Sequence, residues 1–162
     1  MASQPSDYNK TAIHYNARYQ NTQFEKYEIM LAKLKLAGKI LDLGCGTGLL
    51  SEFLRRDDLI GCDSSKEMLK IRGSGDLCAI EKLPYKKDGF DWVLSFSVLM
   101  NSQDPEKALK EVKRILKKDG TFICTFLRVF SPKLRPLIEK HFKIKEENLC
   151  GEDMGFILEQ IA

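Results

Sequence analysis

The chain has 162 residues, 43% apolar and 30% charged, with a formal net charge of +3. That describes one ordinary soluble domain with a single continuous core, and no apolar run approaches the roughly 18–20 residues that span a bilayer. The first ten residues are polar and lack the apolar run of a signal peptide, so the expected location is the cytoplasm.

In chain order, residues 8–37 read as helix, with apolar positions at Ile29, Met30, Leu34 and Leu36 and a stop at Gly38. Lys39–Leu43 is a short apolar run opening into glycines, a buried strand followed by a tight turn. Leu49–Arg56 reads as helix and Leu59–Cys62 as a second strand closed by Asp63. Ser64-Ser65-Lys66-Glu67 has the form of a capping box, with Ser64 as the cap of a helix through about Ile71. Asp76–Ile80 is a brief third strand and Phe90–Phe96 a fourth. Asp104 as N-cap, Pro105 at the first helical position and Gly120 beyond the end bracket a helix with Ala108, Leu109, Val112, Ile115 and Leu116 on one stripe. Thr121–Leu127 reads as a fifth strand, Ser131–His141 as a helix, and residues around 142–149 and 156–161 as two last strands with a turn at Gly151.

Alternating strands and helices make a parallel sheet covered on both faces, and the two consecutive last strands must pair antiparallel. The five cysteines, Cys45, Cys62, Cys78, Cys124 and Cys150, are odd in number and contain no C-x-x-C pair. They suggest neither a disulfide framework nor a zinc site; Cys62, Cys78 and Cys124 read as small buried hydrophobes. No metal-ligand pattern is visible.

In an open α/β sheet, ligands bind beyond the carboxyl ends of the strands. Gly44-Cys45-Gly46-Thr47-Gly48 lies at the end of the first strand, where glycines let backbone approach a ligand. The spacing is G-x-G-x-G, with Leu49 where a dinucleotide fingerprint has its third glycine. Asp63 ends the second strand, where a carboxylate can accept hydrogen bonds from both hydroxyls of a ribose.

Ile40–Gly48, Ile60–Leu69, Leu83-Pro84-Tyr85, Phe90–Ser95 and Ile115–Gly120 together resemble the ordered motifs of class I S-adenosylmethionine-dependent methyltransferases of the type 11 kind. The resemblance covers nearly everything from Lys39 onward. It implies a doubly wound, Rossmann-like sheet of seven strands in the order 3-2-1-4-5-7-6, with strand 7 antiparallel. One domain is expected over 1–162, with residues 1–37 as a helical lid segment and 38–162 as the core.

The resemblance also assigns roles. S-adenosylmethionine is the cofactor, with Gly44 and Gly46 along its methionine and ribose portion and Asp42 orienting the loop and the cofactor ammonium. Asp63, beside Ser64, holds the ribose, and Met68 packs on the adenine. Phe96 and Ser97 flank the sulfonium end. Many relatives carry an Asp at the position of Ala79; here adenine must rely on backbone at Ala79 and Ile80, apolar packing, or Glu81. The segment containing His14, Tyr15 and Tyr19 resembles a tyrosine-bearing lid, although core packing of the tyrosines explains it equally.

The catalytic candidates are His14, as a base, and Asn101, as a group that orients the substrate. Where many relatives have histidines, this chain has Met100-Asn101. A net charge of +3 does not by itself establish nucleic-acid binding, but Arg128–Lys145 holds six Lys or Arg against one acid, Glu139. Arg128, Lys133 and Arg135 are either a solvated face or a phosphate-binding one.

Short loops imply an open pocket and favour a macromolecular acceptor. The expected activity is methyl transfer to tRNA, rRNA or an RNA-linked substrate. The alternatives are a small-molecule methyltransferase of the quinone-biosynthesis type and a non-catalytic, cofactor-binding partner subunit. The apolar edge at residues 76–80, with the resemblance to tRNA and rRNA methyltransferases, leads to one partner expectation: a small zinc-binding activator subunit extending the sheet there.

Overall fold

The computed structural model describes residues 15–161. The helix expected over 8–37 is described as α1, Tyr15–Leu31, which presents Tyr27, Met30 and Leu31 to the core. The remaining elements are β1 (Ile40–Leu43), α2 (Leu49–Leu54), β2 (Ile60–Asp63), α3 (Lys66–Arg72), β3 (Asp76–Leu77), β4 (Phe90–Phe96) and α4 (Pro105–Ile115). After these come β5 (Leu116–Leu127), α5 (Ser131–His141), β6 (Phe142–Cys150) and β7 (Asp153–Gln160). The sheet order is β3-β2-β1-β4-β5-β7-β6, with parallel pairing from β3 through β5 and β7 antiparallel to both neighbours. This is the expected arrangement.

Successive residues of a strand face opposite sides, and here both sides are covered. Leu41, Leu43, Val93, Phe122, Cys124 and Phe126 face the layer that contains α4 and α5. Ile40, Leu94 and Ile123 face the layer of α1 and α2. On α4, Ala108, Leu109, Val112 and Ile115 are fully buried, each larger side chain contributing about 1.5–3 kcal/mol. Asp104 caps that helix by accepting from the Lys107 amide, with Pro105 at its start, as expected.

Several boundaries differ from the sequence expectation. Helix α4 stops at Ile115 because Leu116 pairs with Phe90; Gly120 therefore lies within β5, which begins earlier than Thr121. The cap of α3 is Ser65 and not Ser64, with the Ser65 hydroxyl accepting from the Met68 amide at 3.2 Å. Strand β3 is only two residues long, because Ala79 bridges to Lys82 and turns the chain away. Strand β7 begins at Asp153, where it pairs with Leu127, ahead of the expected Phe156.

The cysteine expectation also needs correction. Cys62 and Cys78 form a disulfide, with Cα atoms 6.1 Å apart, while Cys45, Cys124 and Cys150 remain free and buried. Parallel pairing of β2 with β3 sets Cys62 opposite Asp76, so Cys78 falls two residues along the same edge. That proximity comes from register and has no local spacing signature. Among the described residues, no helix is long and apolar enough to cross a membrane, and no group of three or more His, Cys, Asp or Glu is placed to hold a metal ion.

Candidate functional site

A cavity of about 340 Å³ opens at the carboxyl ends of β1, β2 and β4. Its floor is the turn after β1, in which Gly44, Gly46 and Gly48 all have positive φ. A Cβ on Gly44 would overlap the Val98 side chain, so the close approach of the turn to the end of β4 requires glycine there.

Two carboxylates stand beside this turn. Asp63 accepts from the Gly46 amide through Oδ2 at 2.9 Å and from the Ser65 amide through Oδ1 at 2.8 Å. An ionised carboxylate has about four acceptor positions, so capacity for further donors remains. Burial raises the Asp63 pKa, and the amides of Ser65, Gly46 and Ser64 oppose that rise. Asp42 is 4% exposed, and its Oδ2 has no hydrogen-bond partner among the described residues. Burial lifts its pKa from 3.8 to about 7; the Arg72 charge works against the rise and the Asp63 charge adds to it.

Of the residues singled out from the sequence, Gly44, Gly46, Asp63, Ser64, Met68, Ala79, Ile80, Phe96, Ser97 and Asn101 all line this one cavity. Asp42 is buried within β1 rather than in the cavity wall. Tyr19, half-buried on α1, is not part of the wall either. Tyr15 begins α1, and His14 lies outside the described residues. The Asn101 amide donates to the Ser97 carbonyl at 3.4 Å. Glu81 also lines the cavity, with Oε1 accepting from the Ser102 hydroxyl at 2.6 Å and the Gln103 amide at 3.1 Å.

Sequence reasoning missed a charged cluster against the same cavity. Lys26 of α1 forms an ion pair with Asp153 of β7 at 3.0 Å, and both side chains are nearly buried, 11% and 2% exposed. Lys26 Nζ also donates to Ser97 Oγ at 2.8 Å, and Ser97 Oγ donates to the same Asp153 Oδ2 at 3.0 Å. Helical spacing held a signal for Lys26, since it shares a face with the buried Gln23, Tyr27 and Met30.

The basic segment is less available than its composition implied. Arg135 is engaged by Glu139 and Glu147, Lys140 by Glu106, and Lys145 by Glu159, while Arg128 and Lys133 are exposed. Of the two readings of Arg135, a solvated face or a phosphate-binding one, its pairing with Glu139 and Glu147 favours the first.

A family model described as a methyltransferase domain matches residues 41–124. An uncharacterized protein of Methanocaldococcus jannaschii is 32% identical over 95% of this chain and 64% of its own length. The chain spans only part of the length of the curated relatives it matches, 64% of the Methanocaldococcus protein and as little as 27% of another. Among solved structures, a Thermotoga maritima SAM-dependent methyltransferase, described as a possible histamine N-methyltransferase, aligns with a TM-score of 0.76 and 23% identity, covering 95% of this chain and 98% of its own. A Haloferax volcanii complex of the Trm112 methyltransferase activator with a methyltransferase aligns at 0.75 and 16% identity, covering 96% and 98%. At these identities the structural likeness is one of fold.

Proposed function

The chain belongs to the methyltransferase domain family, and on that premise we propose that it binds S-adenosylmethionine and transfers the cofactor's methyl group. The observation that carries the proposal is Asp63 held against the positive-φ glycine turn that lines the cavity. The residues present fit the cofactor. Asp63 lines the cavity with acceptor capacity left for ribose hydroxyls, and Asp42, buried in β1, places a second carboxylate behind the glycine turn. Met68 and Ile80 supply apolar surface for adenine, and the backbone at Ala79 supplies polar groups.

When bound, S-adenosylmethionine supplies a methyl group already activated by the sulfonium charge. The chain's own task is then alignment and exclusion of water, which can contribute roughly 7–11 kcal/mol to lowering a barrier. Phe96, 6% exposed and held edge-on against Tyr27 at 4.8 Å, gives the end of β4 a rigid apolar wall for that alignment. Asn101 adds a polar group on the same side, as a candidate for orienting the acceptor.

For the acceptor we favour a small molecule, because Arg135, Lys140 and Lys145 are neutralised by folded-in acids. The second reading is an RNA acceptor, tRNA or rRNA, with a small zinc-binding activator subunit on the β3 edge. Exposed Arg128 and Lys133 support it, as does Leu77, 51% exposed on a two-residue edge strand. The Haloferax complex is compatible with such a partner. Calorimetric titration with S-adenosylmethionine and S-adenosylhomocysteine tests the cofactor; absence of binding would sink the proposal. Transfer of tritiated methyl into fractionated cell extract, with and without ribonuclease, separates the acceptors. Label in a ribonuclease-resistant small-molecule fraction supports the first reading, and label lost with ribonuclease supports the second.

A further inference from the structure

Three elements distant in sequence bring one cation, one anion and one hydroxyl together: Ser97 lines the cavity, and Lys26 and Asp153 stand behind it. Ser97, at the end of β4, has φ of 62°, a conformation uncommon for a residue other than glycine. It is held there by its amide, which donates to the Thr125 carbonyl at 2.9 Å and to Thr125 Oγ1 at 3.1 Å. A serine hydroxyl has one proton and two acceptor lone pairs. Here the proton goes to Asp153 at 3.0 Å, and one lone pair receives Lys26 at 2.8 Å. What Ser97 Oγ has left is a single lone pair. Toward a ligand in the cavity it can accept a hydrogen bond and cannot donate one.

A buried ion pair is a poor way to gain stability, because desolvating two charges offsets much of their attraction. Its geometry is, however, well suited to fixing the polarity of a third group. Lys26 pairs with Asp153 and occupies one face of Ser97, and Asp153 accepts the Ser97 hydrogen bond.

Resting on the methyl-transfer reading above, we propose that Lys26, Ser97 and Asp153 form the acceptor site, and that the methyl acceptor is a group that carries a proton, an O–H or N–H, which it donates to Ser97. As a lone pair of the acceptor atom forms the new bond to the methyl carbon, the carbon–sulfur electron pair stays on sulfur. The acceptor's proton passes to Ser97 Oγ while the proton of Ser97 passes to Asp153 Oδ2, and Asp153 later releases it to water. Ser97 is the group that touches substrate; Lys26 and Asp153 are positioning residues that act through it. Ionised carboxylate acceptors, which have no proton to give, are disfavoured at this site.

The test uses the full chain and a matched pair of probes, phenol and its methyl ether anisole, which differ in the donor. Titration with S-adenosylhomocysteine comes first, because failure there counts against methyl transfer itself and not against this assignment. Ligand-observed NMR on the S-adenosylhomocysteine-saturated protein should then give phenol at least fivefold tighter binding than anisole. Ser97→Ala removes only the hydroxyl and should abolish the preference. Asp153→Asn should reduce it and, in the extract fraction that accepts methyl groups, should shift the pH profile of transfer. Equal retention of the two probes, a preference unchanged in Ser97→Ala, or failure of both probes to bind saturably would each overturn the proposal. Loss of S-adenosylhomocysteine binding in Ser97→Ala would also overturn it, by assigning the cluster to the cofactor.

Discussion

At the turn after β1, the Asp63 carboxylate is held by two backbone amides, whereas at the ends of β4 and β7 the Asp153 carboxylate is held by a lysine and a serine. The first arrangement is local: Gly46, Asp63 and Ser65 belong to adjoining segments of one β-α-β unit. The second draws α1, β4 and β7 together across the chain. Backbone amides cannot be mutated away and cost no ion to bury, so the first wall tolerates change outside its carboxylates and glycines. The second wall holds a desolvated pair, in which each charge depends on the other.

That contrast can be broken by removing one member of each wall. Lys26→Met strands Asp153 without its counter-charge, and urea unfolding should register a loss of about 3–5 kcal/mol. A cost under 1 kcal/mol would mean that the pair is solvated and that the two walls are alike. Asp63→Ala should act on ligand and, because the Gly46 and Ser65 amides lose their acceptor, also lower the melting temperature. Calorimetry should record S-adenosylmethionine affinity weaker by about 10–100-fold, equivalent to roughly 1.4–2.7 kcal/mol.

A third experiment sharpens the comparison through pH. Burial raises Asp42 from 3.8 to about 7. Its contribution to stability is therefore fully present below about pH 3.8 and is lost as pH rises through about 7. A cationic ligand in the adjoining cavity favours the ionised form, so affinity should weaken as pH falls below about 7, with proton release on binding seen as buffer-dependent calorimetric heats. Asp42→Asn should flatten the profile. The smallest effect belongs to the surface: Arg135, paired with Glu139 and Glu147 but well exposed, should lose less than about 1 kcal/mol on change to Ala. Set beside Lys26→Met, that value isolates what burial adds to an ion pair.

The first wall was legible in the sequence because its parts are contiguous. Glycines, an acid inside β1 and an acid ending β2 follow one another at fixed spacing, and the strand order came with the motifs that resemble the family. The second wall was not. Lys26 passes for a surface helix residue unless its face is counted against Tyr27 and Met30, and Asp153 sat in what reads as a turn beside Gly151. Only the pairing of β7 with β5 turns that segment into strand and carries Asp153 to Lys26. The Cys62–Cys78 bond was missed for a related reason, since it depends on the register of a two-residue strand. The Ser65 cap was missed by one residue because Asp63 also accepts from the amide of Ser65 and moves the helix start along.

Strand β7 is made by the ribosome after β6, yet it lies between β6 and β5. Until it emerges, the long edge of β5, with Phe122, Ile123, Cys124 and Phe126 destined for full burial, has no neighbour on that side. An unpaired apolar edge is the surface on which nascent chains stick to one another. The same strand brings Asp153, so Lys26 waits on α1 for a counter-charge delivered by the insertion that seals the sheet. Any change that slows the insertion of β7 would therefore lengthen the period in which the newly made chain needs a chaperone, without altering the finished molecule.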